Sequence, residues 1–480
     1  MRALQLVLGA AFVALLAHPV VAQESVLRDS ASVIVDGPRA AAADSALRAE
    51  EARGFSGVVL VATGGRVILR KGYGLAVRAP QRPFAPATVV QIGSNTKDFT
   101  AVATLQLQEQ GKLSVHDSLG KFFPNVPADK RGITVWDLVT HRSGLPLYSG
   151  MDFEPVTREQ FITRVMALPL RFAPGTQQAY SNVGYSVLAA IIEQLVNDTY
   201  GGYVNAHIWK PLGMHDTGLL LVNWDTLRLA HGYQGAEDNG TMLDKPHADN
   251  GPYWNLRGNG GYLSTVTDMY HFYDVLFNTS TLLQPATRDL RFPPDRPVAL
   301  AGSDMINFFL YERDPRSGTV LVMATNWSEY PAPRAREGVA AVLGLPALGG
   351  PGRTRVGGPK GAGEAAPPAK AVTLPDTPAG RQAGAFIAMF NAGDTAAARK
   401  FMLEQETPNP NDHRTMEQRL SSYRGMRSQV GTMMPVEIVS SSPAEIVLRM
   451  RTEKGESPVL TVTVEAAAPH RISGLRIEAE

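Results

Sequence analysis

Apolar and polar positions follow different rhythms along the chain. Leu4 to Ala17 is almost wholly apolar, Arg2 supplies a short positive end, and Val20 and Ala22 place small residues before Gln23. That run is too short and wrongly flanked for a membrane span, so residues 1–22 are expected to be an export signal, with an N-terminal anchor as the alternative. Residues 23–54 are polar with a helical pattern. Phe55 to Ala62 and Arg66 to Gly72 are rich in strand formers, and Gly64-Gly65 between them signals a hairpin. A long helix-rich middle follows. Strand patterns return at Met305 to Tyr311 and Thr319 to Thr325, with Asp314 to Gly318 as the turn, and residues 332–343 are helical in pattern. Strands at both ends of a mainly helical stretch predict one α/β domain over residues 23–346, its sheet joining the two ends.

Residues 347–378 lose apolar periodicity. Their run GGPGRTRVGGPKGAGEAAPPAK has a linker composition. The pattern returns over 379–480. Helical stretches at Ala383–Phe390, Ala396–Leu403 and Arg414–Tyr423 precede strand patterns at Val436–Val439, Glu445–Met450, Val459–Val464 and Ile472–Ile477. Helices followed by strands predict a small α+β domain. That order resembles NTF2-like or cystatin-like folds, and the domain carries no catalytic constellation. No repeat of fixed period is present.

A length of 480 residues exceeds what one core usually fills, in keeping with two domains. The net charge is +1, from 46 basic and 45 acidic residues scattered along the chain, which argues against a nucleic-acid partner. The absence of cysteine excludes thiolate catalysis, disulfides, Cys-based metal sites and a lipid anchor on that residue. The ten histidines show no close metal spacing, so no metal is expected. After the leader no apolar run reaches about 18 residues, so no transmembrane segment is expected in the mature chain.

Two segments carry candidate chemistry. In QIGSNTKDFTAVATLQLQEQGK, Ser94 and Lys97 are three apart, which places both on one face of a helix. Ser94 is expected at the helix start, where free N–H groups favour a developing negative oxygen. A lysine in a partly dry pocket loses its proton readily and can activate a serine. Gly93 permits close approach of the chain, and Gly111 suits the helix end. Alone the spacing is weak, because Ser118 and Lys121 repeat it and Ser94 can be read as an ordinary helix cap. In PLRFAPGTQQAYSNVGYSVLAAIIEQL, Tyr180 and Asn182 precede a strongly apolar helix. A phenol can relay protons and a side-chain amide can grip a substrate amide. This pattern also recurs, at Tyr203/Asn205 and Tyr253/Asn255.

The two segments occur together, in order, with the phrases IGSNTKDFTA, LVTHRSGLP, FAPGTQQAYSN, WKPLGMHDTG and GNGGYLSTVTDMYHF. Over about residues 55–330 the chain thereby resembles the serine β-lactamase and penicillin-binding-protein superfamily, especially its class C β-lactamase-like and esterase branch. The resemblance implies a β-lactamase/transpeptidase-like antiparallel sheet flanked by helices, with a helical subdomain. It implies Ser94 as the acylated nucleophile, Lys97 and Tyr180 as partners in proton transfer, and Asn182 as a substrate contact. It further implies an oxyanion hole using the Ser94 N–H, no metal or organic cofactor, and a β-lactam, D-amino-acid peptide or small ester as substrate.

One part of that pattern is missing. The family carries a third motif, Lys-Thr-Gly or His-x-Gly, on a strand facing the nucleophile. Here the stretch reads PVALAGSDMINFFLYERD, without Lys or His at the corresponding place. The second oxyanion N–H is then expected from Gly302 or Ser303. Leu283 to Ala301 is also shorter than the family's usual length, as though a strand were missing, and Pro293, Pro294 and Pro297 suit a strand poorly. The lost cation disfavours β-lactams relative to esters and D-peptides. It also keeps open an alternative reading, a catalytically impaired protein that binds cell-wall peptides or another ligand. His141 in THRSGLP is expected to order a loop, and Trp254 and Tyr148 to pack.

Overall fold

A computed structural model describes residues 31–304, 306–327, 332–346, 354–356, 372–407, 431–453 and 458–478, with a few positions between 416 and 427. The export signal expected at 1–22 and most of the stretch 347–378 lie outside these residues. The chain divides into two compact units, residues 1–358 and 359–480.

The first unit opens with β1 (Ile34–Val35), α1 (Gly37–Glu51), β2 (Gly57–Thr63) and β3 (Arg66–Tyr73). Helices α2 (Thr96–Glu109), α3 (Asn182–Val196), α4 (Val266–Asn278) and α5 (Pro285–Arg291) lead to β4 (Val298–Ser303), β5 (Phe308–Asp314), β6 (Thr319–Thr325) and α6 (Ala332–Leu343). A last strand, β7 (Thr354–Val356), falls inside the stretch of linker composition. The sheet order is β1-β3-β2-β6-β5-β4-β7. All pairs are antiparallel except β4 with β7. The central pairing of β2 with β6 runs from Gly57 opposite Thr325 to Thr63 opposite Thr319. The two ends of the unit therefore meet in one sheet, as the strand patterns predict.

Strand β2 is apolar on both faces because both faces are covered. Val58, Leu60 and Ala62 join one core, while Val59 and Val61 join another. The second core is roofed by α1 and α6. Ala40, Ala43 and Leu47 of α1 and Ala335, Val339 and Leu343 of α6 recur at helical spacing and are buried there. Beneath them Arg336 grips Glu312 of β5 through two bonds of 2.6 and 2.8 Å, both side chains inaccessible to solvent. The first core is covered by α2 and α4. Phe99 meets Phe272 edge to face at 4.7 Å, and Tyr273 stacks on Tyr311 at 4.0 Å. Each such fully buried side chain contributes roughly 1.5–3 kcal/mol. The helical subdomain is built around α3, which is buried continuously from Val183 to Ile192.

The stretch expected to lack a strand contains one. Val298–Ser303 pairs with β5 along its whole length. Its prolines do not obstruct it, because Pro285 starts α5, where no N–H is needed, and Pro293, Pro294 and Pro297 all precede the first strand residue. The strand expected from Met305 begins only at Phe308. The Asp304 carboxylate accepts from the N–H groups of Ile306 and Asn307, and this turn joins β4 to β5. Met305 itself lies outside the described residues.

The second unit has α7 (Pro378–Ala392), α8 (Thr395–Glu404) and an antiparallel sheet of β8 (Met433–Ser441), β9 (Glu445–Thr452), β10 (Val459–Val464) and β11 (Ile472–Glu478), in that order. Ile446, Leu448 and Met450 alternate inward with Leu460, Val462 and Val464, and Phe386 and Phe390 of α7 join the same core. Half of the helix expected at Arg414–Tyr423 lies outside the described residues, and the described half is helical.

Candidate active site

Ser94 occupies a single 3-10 turn, Gly93–Asn95, that runs directly into α2. The ribbon pairing Val90–Gln91 with Leu263–Ser264 delivers the chain to this turn. Gly93 has φ = 50°, in the left-handed region that favours glycine, and a Cβ there would stand 2.7 Å from Ser303 N. Asn95 fastens the turn to its surroundings. Its Nδ2 donates to Tyr273 OH at 2.8 Å and to Leu300 O of β4 at 3.3 Å. At its far end α2 closes with Gly111 at φ = 69°, where the N–H of Gly111 donates to Gln108 O and that of Lys112 to Leu107 O.

Lys97 lies on the first turn of α2 and is buried. Its Nζ is 3.0 Å from Ser94 Oγ and donates to the backbone carbonyl of Asn259 at 2.7 Å. It also lies 4.9 Å from the ring centre of Tyr180 and 5.9 Å from that of Tyr185. Burial pushes its pKa down to about 7, against the pull of the Asp152 and Asp98 carboxylates. A lysine so placed holds a substantial neutral fraction near neutrality, and a neutral amine can accept the Ser94 proton.

Tyr180 OH donates to Ser94 Oγ at 2.7 Å. Burial pushes this phenol well above its ordinary pKa, so it carries its proton. Ser181 anchors the segment between the two candidate side chains. Its Oγ donates to Pro146 O and accepts from Gly184 N, capping α3. Asn182 begins α3, and its Oδ1 is buried with no hydrogen-bond partner among the described residues.

Strand β4 forms the wall opposite. A Cβ on Gly302 would stand 2.1 Å from Ile92 O and 2.7 Å from Ser94 N. The Ser94 turn and the strand thus meet backbone to backbone, and the N–H groups of Ser94 and Ser303 lie on that seam. Ser94, Lys97 and Tyr180 therefore converge on one oxygen, with Gly302 and Ser303 beside them. Asn182 stands two residues from Tyr180, at the start of α3.

Several contributors carry no signal in the sequence. Asn259 acts through a main-chain carbonyl, and its side chain is occupied with Ser186 Oγ and Asn255 O. Asp152 faces Lys97 and Asp304, and burial raises its pKa to about 6. Arg291, the last residue of α5, lines a small cavity with Ser94, Lys97, Asp98, His141 and Tyr185. Trp254 is buried and stacks on Phe161 as expected, whereas Tyr148, expected to pack, is 55% exposed. Among the described residues no three His, Cys, Asp or Glu are grouped to hold a metal ion, and no helix is long and apolar enough to cross a membrane.

The first unit is similar to known proteins. The profile of the family described as Beta-lactamase matches residues 43–344. Penicillin-binding protein 4* of Bacillus subtilis (strain 168) is 26% identical over 294 residues, covering 58% of this chain and 64% of that protein. The chain spans less than two thirds of the length of the first curated relatives it matches. In structure, FmtA from Staphylococcus aureus superposes with a TM-score of 0.55 at 22% identity, over 69% of this chain and 96% of that one. The D-amino acid amidase from Ochrobactrum anthropi SV3 superposes with a TM-score of 0.53 at 20% identity, over 64% and 99%. At these identities the two superpositions speak to the fold alone.

Proposed function

The chain belongs to the Beta-lactamase family, and from that premise we propose that it is an exported serine hydrolase working through an acyl-enzyme on Ser94. The observation that carries this reading is the meeting of Lys97 Nζ and Tyr180 OH on one oxygen, Ser94 Oγ, at 3.0 and 2.7 Å. Neutral Lys97 takes the Ser94 proton as Oγ bonds to the substrate carbonyl carbon. The oxyanion that forms is met by the N–H of Ser94 and by one from Gly302 or Ser303 on β4. Tyr180 hands a proton to the departing group and is resupplied by Lys97. Asn182 contacts the substrate, a role supported by an Oδ1 with no hydrogen-bond partner among the described residues. Water then releases the acyl group and restores Ser94.

An ester, an amide or a D-amino-acid peptide suits this site better than a β-lactam. Ala299 and Leu300 stand on β4 at the two places where the family's third motif could supply a cation, so a substrate carboxylate has no ammonium to meet on that strand. The same observation supports a second reading, a protein that binds ligand without turnover.

Intact mass after exposure to a fluorophosphonate, alongside Ser94→Ala, separates the two. One adduct on the native protein and none on the variant supports the hydrolase. Folded native protein that takes no adduct from fluorophosphonate, ester or β-lactam supports the binding protein.

A further inference from the structure

The acyl-transfer steps leave one buried polar group beside Ser94 without a task. His141 is 6% exposed and adopts φ = 57°, a left-handed backbone uncommon outside glycine. The Tyr180 segment holds it in place. The Ser181 N–H donates to His141 Nδ1 at 3.2 Å, and Ala179 N–H donates to the His141 carbonyl at 2.9 Å. The imidazole packs against the rings of Tyr180 and Tyr185, with centres 4.5 and 5.0 Å away.

These contacts fix the chemistry of the ring. An Nδ1 that accepts a hydrogen bond carries no proton, so the neutral imidazole holds its hydrogen on Nε2. Burial, with Lys97 and Arg291 nearby, keeps the ring from gaining a second proton. His141 is therefore a fixed donor and not a base. Its Nε2 has no hydrogen-bond partner among the described residues. His141 lines the same cavity as Ser94, Lys97, Asp98 and Arg291, which has room for about one water molecule.

We propose that His141 is a positioning residue whose Nε2–H holds a single water in this cavity, and that this water hydrolyses the acyl-enzyme. The proposal rests on the acyl-enzyme reading above. The water oxygen bonds to the acyl carbon, one of its protons passes to neutral Lys97, and the carbonyl electron pair moves onto the carbonyl oxygen. When that oxyanion collapses, the bond from carbon to Ser94 Oγ breaks, the Lys97 proton returns to Oγ, and the product leaves as a carboxylic acid. His141 keeps its proton throughout.

The test compares His141→Asn with His141→Gln in the full chain. Asparagine tolerates the left-handed backbone, and its Oδ1 can replace Nδ1 as acceptor for Ser181, but it lacks the distal donor. Glutamine reaches the position of Nε2. With a p-nitrophenyl ester, His141→Asn is expected to acylate Ser94 within about threefold of the native rate while steady-state turnover falls about tenfold or more, with acyl-enzyme accumulating by mass. His141→Gln is expected to recover part of that loss. Native turnover in His141→Asn would overturn the proposal. So would acylation and deacylation falling by the same factor in both variants. Should neither variant fold, a crystal structure of the native protein decides: ordered water bonded to Nε2 supports the proposal, and a dry cavity overturns it. Native protein that never acylates removes the underlying reading instead.

Discussion

Gly302 and Ser94 touch main chain to main chain, so closely that a Cβ on Gly302 would stand 2.7 Å from Ser94 N. The same Cβ would stand 2.1 Å from Ile92 O, and neither obstacle is a side-chain tip that can turn aside. Strand β4 is thus the wall against which the Ser94 turn is set.

Gly302→Ala should push that turn off the strand. We expect kcat/KM to fall about 100-fold or more, as for loss of an oxyanion donor. Stability should fall by about 1–3 kcal/mol, as for overpacking in a close-packed site. Ester turnover and urea unfolding read the two effects separately, and an unaltered rate would show that β4 takes no part in aligning Ser94.

The rate should depend on pH through Lys97. Its pKa of about 7 places the loss of its proton near neutrality, so kcat/KM should rise with pH through that region. Asp152 favours the ammonium form, and so does Asp98. Removing the first charge with Asp152→Asn should lower the Lys97 pKa and move the acid limb to lower pH. A limb that stays in place or moves the other way would contradict this assignment.

The same burial should weigh on stability. An unfolded lysine titrates near 10.4, so between about pH 7 and 10 the unfolded chain binds more protons at this position than the folded one. Stability from this group therefore rises with pH across that window. Lys97→Met should abolish turnover and raise stability by about 0.5–2 kcal/mol at pH 6, a gap that closes toward pH 10. Thermal melting at the two pH values would reveal it.

Tyr180→Phe removes only the hydroxyl that reaches Ser94. The ring should keep its place on His141, 4.5 Å away, and the melting temperature should barely move. Turnover should fall about 10²- to 10⁴-fold. A loss confined to KM would instead assign the phenol to substrate binding.

Arg336 and Glu312 make a buried pair between α6 and β5. Arg336→Ala should destabilise the first unit by about 3–5 kcal/mol, because it strands a buried carboxylate. Replacing both with apolar residues of similar volume should recover most of that. Urea denaturation of the three proteins measures the difference.

Much of this architecture is legible in the residues. The runs of strand-forming residues at Phe55 to Ala62 and Thr319 to Thr325 gave β2 and β6, and the three-residue spacing of Ser94 and Lys97 placed both at one helix end. Other parts have no local signature. Lys97 is held by the Asn259 carbonyl, an atom every residue owns. Arg291 and Asp152 reach the site only because distant elements converge there. Strand β4 was obscured by prolines that stop one residue short of it. His141 was legible as a loop-ordering residue, but its orphan Nε2–H follows from the bond that Ser181 makes to the ring's other nitrogen.

The pairing of β2 with β6 also sets a timetable for the molecule. Thr325 Oγ1 donates to Ser56 O across 269 positions of chain. Contacts so remote in sequence form late, after a large loop has been closed. While the polypeptide is still being synthesised, Ser94 exists long before the strand that walls it in and the partner strand that completes its sheet. A ribosome-bound fragment ending between Tyr180 and β4 carries Ser94, Lys97 and Tyr180 without the frame that brings them together. The arrangement around Ser94 is therefore a property of the finished domain, assembled only once β6 has been made.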